Sequence, residues 1–301
     1  MLSARQSDLQ VPVRSELCMG TVVTIQVLAA TAEADAAITR CFEWFREIET
    51  RCTRFSESSE LMQLTANVGA PVSASPILFE ALRFALQVAE ETDGAFDPTV
   101  GRTMETRGFN REHRTGAVVQ SPGDADPTAT FRDIQLDPHN RTVTLTRTLT
   151  LDLGAVAKGL AVDTAARELQ PFRDYAIDAG GDLFLAGLNP HGAPWSVGIR
   201  HPRREGELVQ TLHISNKAVC TSGDYERGDH IVDARTHRAA TAVASATVVA
   251  DSAMLADALA TAVFVLGPEP GLELLARLGV EGLIITPQME RYETPGFCYA
   301  A

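Results

Sequence analysis

A chain of 301 residues with 45% apolar content is long enough and apolar enough to bury a large core, so disorder is excluded as its default state. Its formal charge of -13, without any Lys/Arg cluster, argues against a nucleic-acid partner and means that a polyphosphate ligand would need a few placed cations or a divalent ion. Five widely spaced cysteines (Cys18, Cys41, Cys52, Cys220 and Cys298) with no Cys-x-x-Cys pair exclude a disulfide framework and a zinc cluster.

No run reaches membrane-spanning length, and the first sixteen residues lack the apolar core of a secretory signal. The expectation is a soluble cytoplasmic protein with a flexible N-terminus over residues 1–15, or a periplasmic one if a leader was removed.

In chain order, residues 16–28 are β-branched and apolar in their second half and read as a strand, with Gly20 at a bend and Cys18 buried. Ala37, Cys41, Phe45 and Ile48 recur at helical spacing within 33–52, giving an amphipathic helix packed on that strand. Ser58 or Ser59 caps a short helix through Leu61 and Leu64. Ser75-Pro76 opens another, with Leu78, Ala81, Leu82, Ala85 and Val88 as its buried stripe up to Gly94. In the turn that follows, Phe96 beside Asp97-Pro98 either stacks on a planar ligand or anchors its own loop.

Residues 111–133 are rich in Thr, Gly, Pro and Asp, the best place for a subdomain boundary. Strands are expected at 134–136 and 142–145 and from Leu151, then, after a helix to Leu169, at 175–178, 183–185, 195–199 and 209–214. Most alternate as antiparallel strands with one buried face do. Strands at 218–224, 243–250 and 283–285, with helices at 252–266 and 272–278, complete an α+β chain of mixed, largely antiparallel sheets flanked by helices.

Three places carry chemistry. At 151–163 a strand stops at Gly154 and becomes a helix. Glycine lets backbone approach a ligand and a starting helix offers N–H groups to an anion, while Asp152 and Lys158 add a carboxylate and a cation. The same pattern also serves as a plain strand-to-helix junction with surface charges. In the nearly all-apolar helix 251–264, Asp257 and Thr261 lie four apart and so leave one face together. A carboxylate there is costly unless paired or coordinated, and carboxylate plus hydroxyl is the oxygen ligation that Mg²⁺ takes; the alternative is an Asp capping a loop and a Thr bonded to its own helix. His230, between Asp229 and an apolar strand start, suits proton removal from a hydroxyl, or a structural role. P-loop, dinucleotide-glycine and nucleophile-elbow patterns do not occur.

These pieces form an ordered set with Met19-Gly20-Thr21, TDGAFDPT (92–99), Gly180-Gly181-Asp182, TSGDYER (221–227), HIVDART (230–236) and ADALAT (256–261). In that order the chain resembles the ApbE-like FAD:protein FMN transferases, over a single domain at 16–286. The resemblance implies the ApbE-like fold and a Mg²⁺-dependent enzyme that cleaves FAD, attaches FMN through a phosphoester to a threonine of a target flavoprotein, and releases AMP. It implies further that Met19, Phe55, Ala95, Phe96, Asp97, Asp152, Lys158 and Ile231 line FAD. The backbone carbonyl of Ala155 would join Asp257 and Thr261 on the metal, and His230 would deprotonate the acceptor hydroxyl.

The chain departs from its relatives in places. Asp233-Ala234-Arg235-Thr236-His237 stands where they commonly have Asp-Pro-Arg-Thr-Gly, the stretch from Tyr225 to His230 is short, Ala260 replaces a polar residue of some, and Thr65 an asparagine. Two alternatives keep the same site: a Mg²⁺-dependent FAD pyrophosphatase giving FMN and AMP, and a catalytically silent flavin-binding protein.

Overall fold

The computed structural model describes residues 12–112, 115–121, 123–227 and 230–297; Cys298, His113 and Asp229 lie outside the described residues. Eight strands join edge to edge in the order in which they occur along the chain. They are β1 (Val13–Cys18), β2 (Thr21–Val27), β3 (Tyr175–Ala179), β4 (Asp182–Ala186), β5 (Lys217–Gly223), β6 (Ser245–Ala250), β7 (Glu281–Ile285) and β8 (Arg291–Glu293). Every neighbouring pair is antiparallel.

Period-two burial gives this sheet two apolar faces. Val23, Ile25, Ile177, Cys220, Val248 and Ile284 point into the main core, under the helices α1 (Ala32–Cys52), α2 (Pro76–Glu91), α3 (Gly154–Glu168), α4 (Ala253–Leu266) and α5 (Pro268–Leu278). Each Leu, Ile or Phe fully buried there contributes roughly 1.5–3 kcal/mol. On the opposite face Leu185, Val219, Val249 and Ile285 pack beneath a separate hairpin, Trp195–Arg200 with Leu208–Ile214.

The helices begin where the sequence marks them. Ser59, Ser75 and Ser252 each accept a backbone N–H from three residues on, and Pro76 occupies the first turn of α2. Contact between α3 and α4 depends on Gly159, where a Cβ would lie 2.6 Å from both the Ala253 carbonyl oxygen and the Met254 nitrogen. Only a residue without a side chain lets the two backbones meet so closely.

Several expectations are corrected. Residues 16–28 are two strands, not one: Met19 (φ 51°) and Gly20 (φ 74°) form a two-residue turn with both φ positive, as type I′ hairpins require. A twin turn, Gly180 (φ 68°) and Gly181 (φ 100°), joins β3 to β4, and a side chain on Gly180 would strike Thr21. The ordered sheet takes in Val13, Arg14 and Ser15, so it starts before residue 16. Leu151 to Leu153 form no strand; the segment is tethered by the Asp152 amide, which donates to the Pro98 carbonyl at 2.7 Å.

The loop 111–133 is pinned to its surroundings. Ser121 donates its amide (2.9 Å) and its hydroxyl (2.7 Å) to Glu105, and Phe131 sits in the main core, which draws on both sides of the segment. Short elements that the sequence pattern does not mark are the helix Gly101–Thr106, β8, and the strand Val72–Ser73, which completes a three-stranded sheet with Ile134–Asp137 and Thr142–Leu145.

Cys18, Cys41, Cys52 and Cys220 are buried, Cys18 as its place in the strand leads one to expect. Burial pushes the Cys41 and Cys52 thiols up to about 12, so neither is a nucleophile near neutral pH. Among the described residues no helix is long and apolar enough to cross a membrane.

Candidate functional site

The junction at Gly154 is held from both sides. Asp152 Oδ1 accepts the Gly154 amide at 2.7 Å, and Oδ2 accepts Arg54 Nε at 2.6 Å. Arg54 is itself only 6% exposed; another of its nitrogens donates to the Phe109 carbonyl, and its guanidinium lies 4.3 Å over the Phe55 ring. Phe109 in turn meets the His230 ring edge-on at 6.3 Å. A buried arginine thus ties the Gly154 turn to the histidine, and nothing in the local sequence announces it.

At its second residue, Ala155 (φ -93°, ψ 16°), α3 departs from helical geometry. The Gly159 amide, four residues on, also acts on the Asp257 carboxyl and holds it down. Lys158, on the same turn, ion-pairs with Asp182, the first residue of β4, and its Nζ stops 3.6 Å from Asp257 Oδ2. That separation allows attraction but is too long for a hydrogen bond.

Asp257 is 6% exposed, and its Oδ2 is buried without a hydrogen-bond partner. Burial pushes its carboxyl up, while the Lys158 ammonium and the Gly159 amide pull it back. Leaving such an oxygen unsatisfied costs about 1–3 kcal/mol or more. Thr261, one turn further along α4, does not bond back to its own helix: its hydroxyl lies 3.2 Å from Ser222 Oγ on β5. No cation within α4 neutralises Asp257, as its sequence indicates; the cation comes from α3.

An open carboxylate oxygen, a hydroxyl and a helix broken at the Ala155 carbonyl make an oxygen-only donor set, which fits a hard divalent ion such as Mg²⁺. Among the described residues no three His, Cys, Asp or Glu side chains gather as a softer metal would want.

Other residues singled out by the resemblance occupy the surroundings. Met19 sits in the β1–β2 turn beside the Gly180 turn. Ala95 and Phe96 are buried, Phe96 within the main core, so its ring anchors its own loop. Asp97 has both oxygens occupied: Oδ1 accepts the Thr99 amide (2.8 Å) and hydroxyl (2.7 Å), and Oδ2 the Phe131 amide (3.0 Å). Burial pushes the Asp97 carboxyl up against those donors. Ile231 is buried next to the half-buried His230. The turn of Ala95 to Asp97 reaches the Gly154 junction through the Pro98–Asp152 hydrogen bond.

Two clefts flank this group and do not enclose it. One of about 370 Å³ lies beside Asp97, walled by Thr99, Arg102, Arg235 and His237; the other, of about 380 Å³, lies across the sheet under Trp195 and opens at Gly180-Gly181.

Sequence reasoning gave no role to Arg54, Phe109, Asp182 or Ser222. Asp182 and Ser222 stood within the quoted motifs, whereas Arg54 and Phe109 had no signal.

An antiparallel sheet backed by helices, with Asp257 of α4 facing Lys158 of α3, defines the class, and the ApbE family model matches residues 19–284. The chain belongs to the ApbE family. Among curated relatives it is 33% identical to the FAD:protein FMN transferase of Treponema pallidum, over 91% of this chain and 84% of that one. It is 28% identical to the Haemophilus influenzae protein of the same name, over 91% and 86%. The crystal structure of the ApbE protein from Thermotoga maritima superposes with a TM-score of 0.85 at 28% identity, and the flavin transferase ApbE from Vibrio cholerae with 0.84 at 28%; each comparison covers 96% of this chain and 98% of the other.

Proposed function

We propose that this chain is an FAD:protein FMN transferase, which breaks the pyrophosphate of FAD and attaches FMN to a threonine hydroxyl of a target flavoprotein. The observation that carries the reading is the buried, unpartnered Oδ2 of Asp257, set beside Lys158 and one turn from Thr261. The names of the curated relatives support it. Asp257, Thr261 and the Ala155 carbonyl would hold Mg²⁺, which supplies neutralisation of the charge on the diphosphate oxygens.

The chain's own residues do the rest. The Gly154 turn presents backbone to the diphosphate without a Cβ in the way, and Asp152 is kept rigid there by Arg54. Lys158 offers its ammonium to the same anion. His230 takes the proton as the acceptor oxygen bonds to the FMN phosphorus; the P–O bond to the AMP half breaks and AMP departs.

The test is incubation with FAD, Mg²⁺ and a purified apoflavoprotein domain bearing a surface threonine, read by mass spectrometry. FMN mass on threonine together with free AMP is the expected outcome. AMP without the adduct makes the chain a pyrophosphatase, and neither product makes it a binder.

A further inference from the structure

We infer that Asp182 is a positioning residue for cation binding: it holds the Lys158 ammonium away from the open oxygen of Asp257, so that a divalent ion takes that oxygen. The inference rests on the reading of Asp257 and Thr261 as the metal pair. Lys158 has two buried carboxylates within reach, their side chains 5% and 8% exposed, and it pairs with Asp182 while standing 3.6 Å from Asp257 Oδ2.

Charge counting shows why the choice matters. One ammonium and two carboxylates leave the pocket with a net single negative charge, and Asp257 carries it. Were Lys158 to close on Asp257 with Asp182 neutral, the pocket would have no charge left and its open oxygen would be capped. A divalent ion would then have to displace an ammonium from a site where burial strengthens the pair.

Asp182 is well placed for such a task because its backbone is fixed on both sides. It follows the Gly180-Gly181 turn and pairs with Ala179 across the β3–β4 hairpin. Gly180 is packed against Thr21, so the turn has no room to shift toward β2. The carboxylate is therefore aimed by the hairpin and not by a mobile loop.

The experiment measures Mn²⁺ binding to the full chain by electron paramagnetic resonance, without FAD. Asp182→Asn is expected to weaken Mn²⁺ about tenfold or more, the usual effect of losing a group that orients a metal ligand. The double variant Asp182→Asn/Lys158→Met is expected to recover most of that loss, because no ammonium remains to cap Asp257. A purely structural role for Asp182 would give no such recovery.

Wild-type affinity in Asp182→Asn, or a double variant as weak as the single, overturns the inference. Should Asp182→Asn fail to fold by circular dichroism, Lys158→Met alone decides. It should bind Mn²⁺ at least as tightly as wild type, and weaker binding overturns the inference. If the wild type and Asp257→Asn bind Mn²⁺ equally, the metal pair itself is wrong, an outcome separable from any result at Asp182.

Discussion

Two aspartates sit at the junction of α3 and α4, and the fold treats them in opposite ways. Asp163 reaches from α3 to the start of α4, where Oδ1 accepts the Ala253 amide at 2.7 Å and Oδ2 the Met254 amide at 3.0 Å. Asp257 reaches back from α4 toward α3, where Lys158 Nζ stands 3.6 Å from an Oδ2 that has no hydrogen-bond partner. Burial pushes both carboxyls up. A satisfied aspartate at a helix N-terminus clamps two elements together, since those amides have no partner within the helix. An unsatisfied one in an apolar wall costs the fold stability.

The comparison breaks most sharply at Asp257. Asp257→Asn is expected to cut AMP release and FMN transfer on the order of 10²–10³-fold or more. Its melting temperature should hold or rise, because a buried carboxylate lacking a full set of donors has been made neutral. A large fall in melting temperature would show Asp257 to be a second clamp.

Asp163→Ala should do the reverse. It leaves two α4 amides without acceptors and is expected to lose about 2–4 kcal/mol in urea unfolding, with AMP release per folded molecule unchanged. Gly159→Ala inserts a methyl 2.6 Å from the Ala253 oxygen and the Met254 nitrogen. It is expected to cost about 1–3 kcal/mol and to weaken Mn²⁺ binding by moving Asp257 relative to Lys158.

The smallest effect is a drift with pH. Burial, the largest influence on Asp163, raises its carboxyl above the ordinary 3.8 even against the amides and Arg167. The folded chain therefore binds that proton more readily than the unfolded chain. Stability from this group is fully present below 3.8 and is lost as the pH rises through the raised folded value. Melting curves against Asp163→Asn, which does not titrate, should show the wild type losing ground across the window just above 3.8. A gap constant with pH would contradict the assignment.

Local signals in the sequence were readable because their causes are local. Ser75-Pro76 marks a helix start because a cap and its amide lie three residues apart. Asp257 and Thr261 announce a shared face through their spacing alone. Their partners were not readable. Lys158 and Asp182 are 24 residues apart, Arg54 and Asp152 are 98, and only the folded chain brings such pairs together.

Two misreadings have physical reasons as well. The β1–β2 turn was hidden because methionine, at φ 51°, is an unusual first residue for a type I′ turn. Leu151 and Leu153 alternate with Asp152 like a strand, since both leucines are buried, but that burial comes from a loop packed on the core and tied to Pro98.

The order of strands in the large sheet bears on how the protein is made. β2 is separated from its neighbour β3 by nearly half the chain, a stretch that carries α1, α2 and α3. A ribosome adding about 5–20 residues per second leaves the first hairpin waiting on the order of ten seconds for its neighbour. Through that interval one long edge of β2 stays unpaired. Until β3 arrives, the hairpin carries an open strand edge, the feature that invites pairing with another chain.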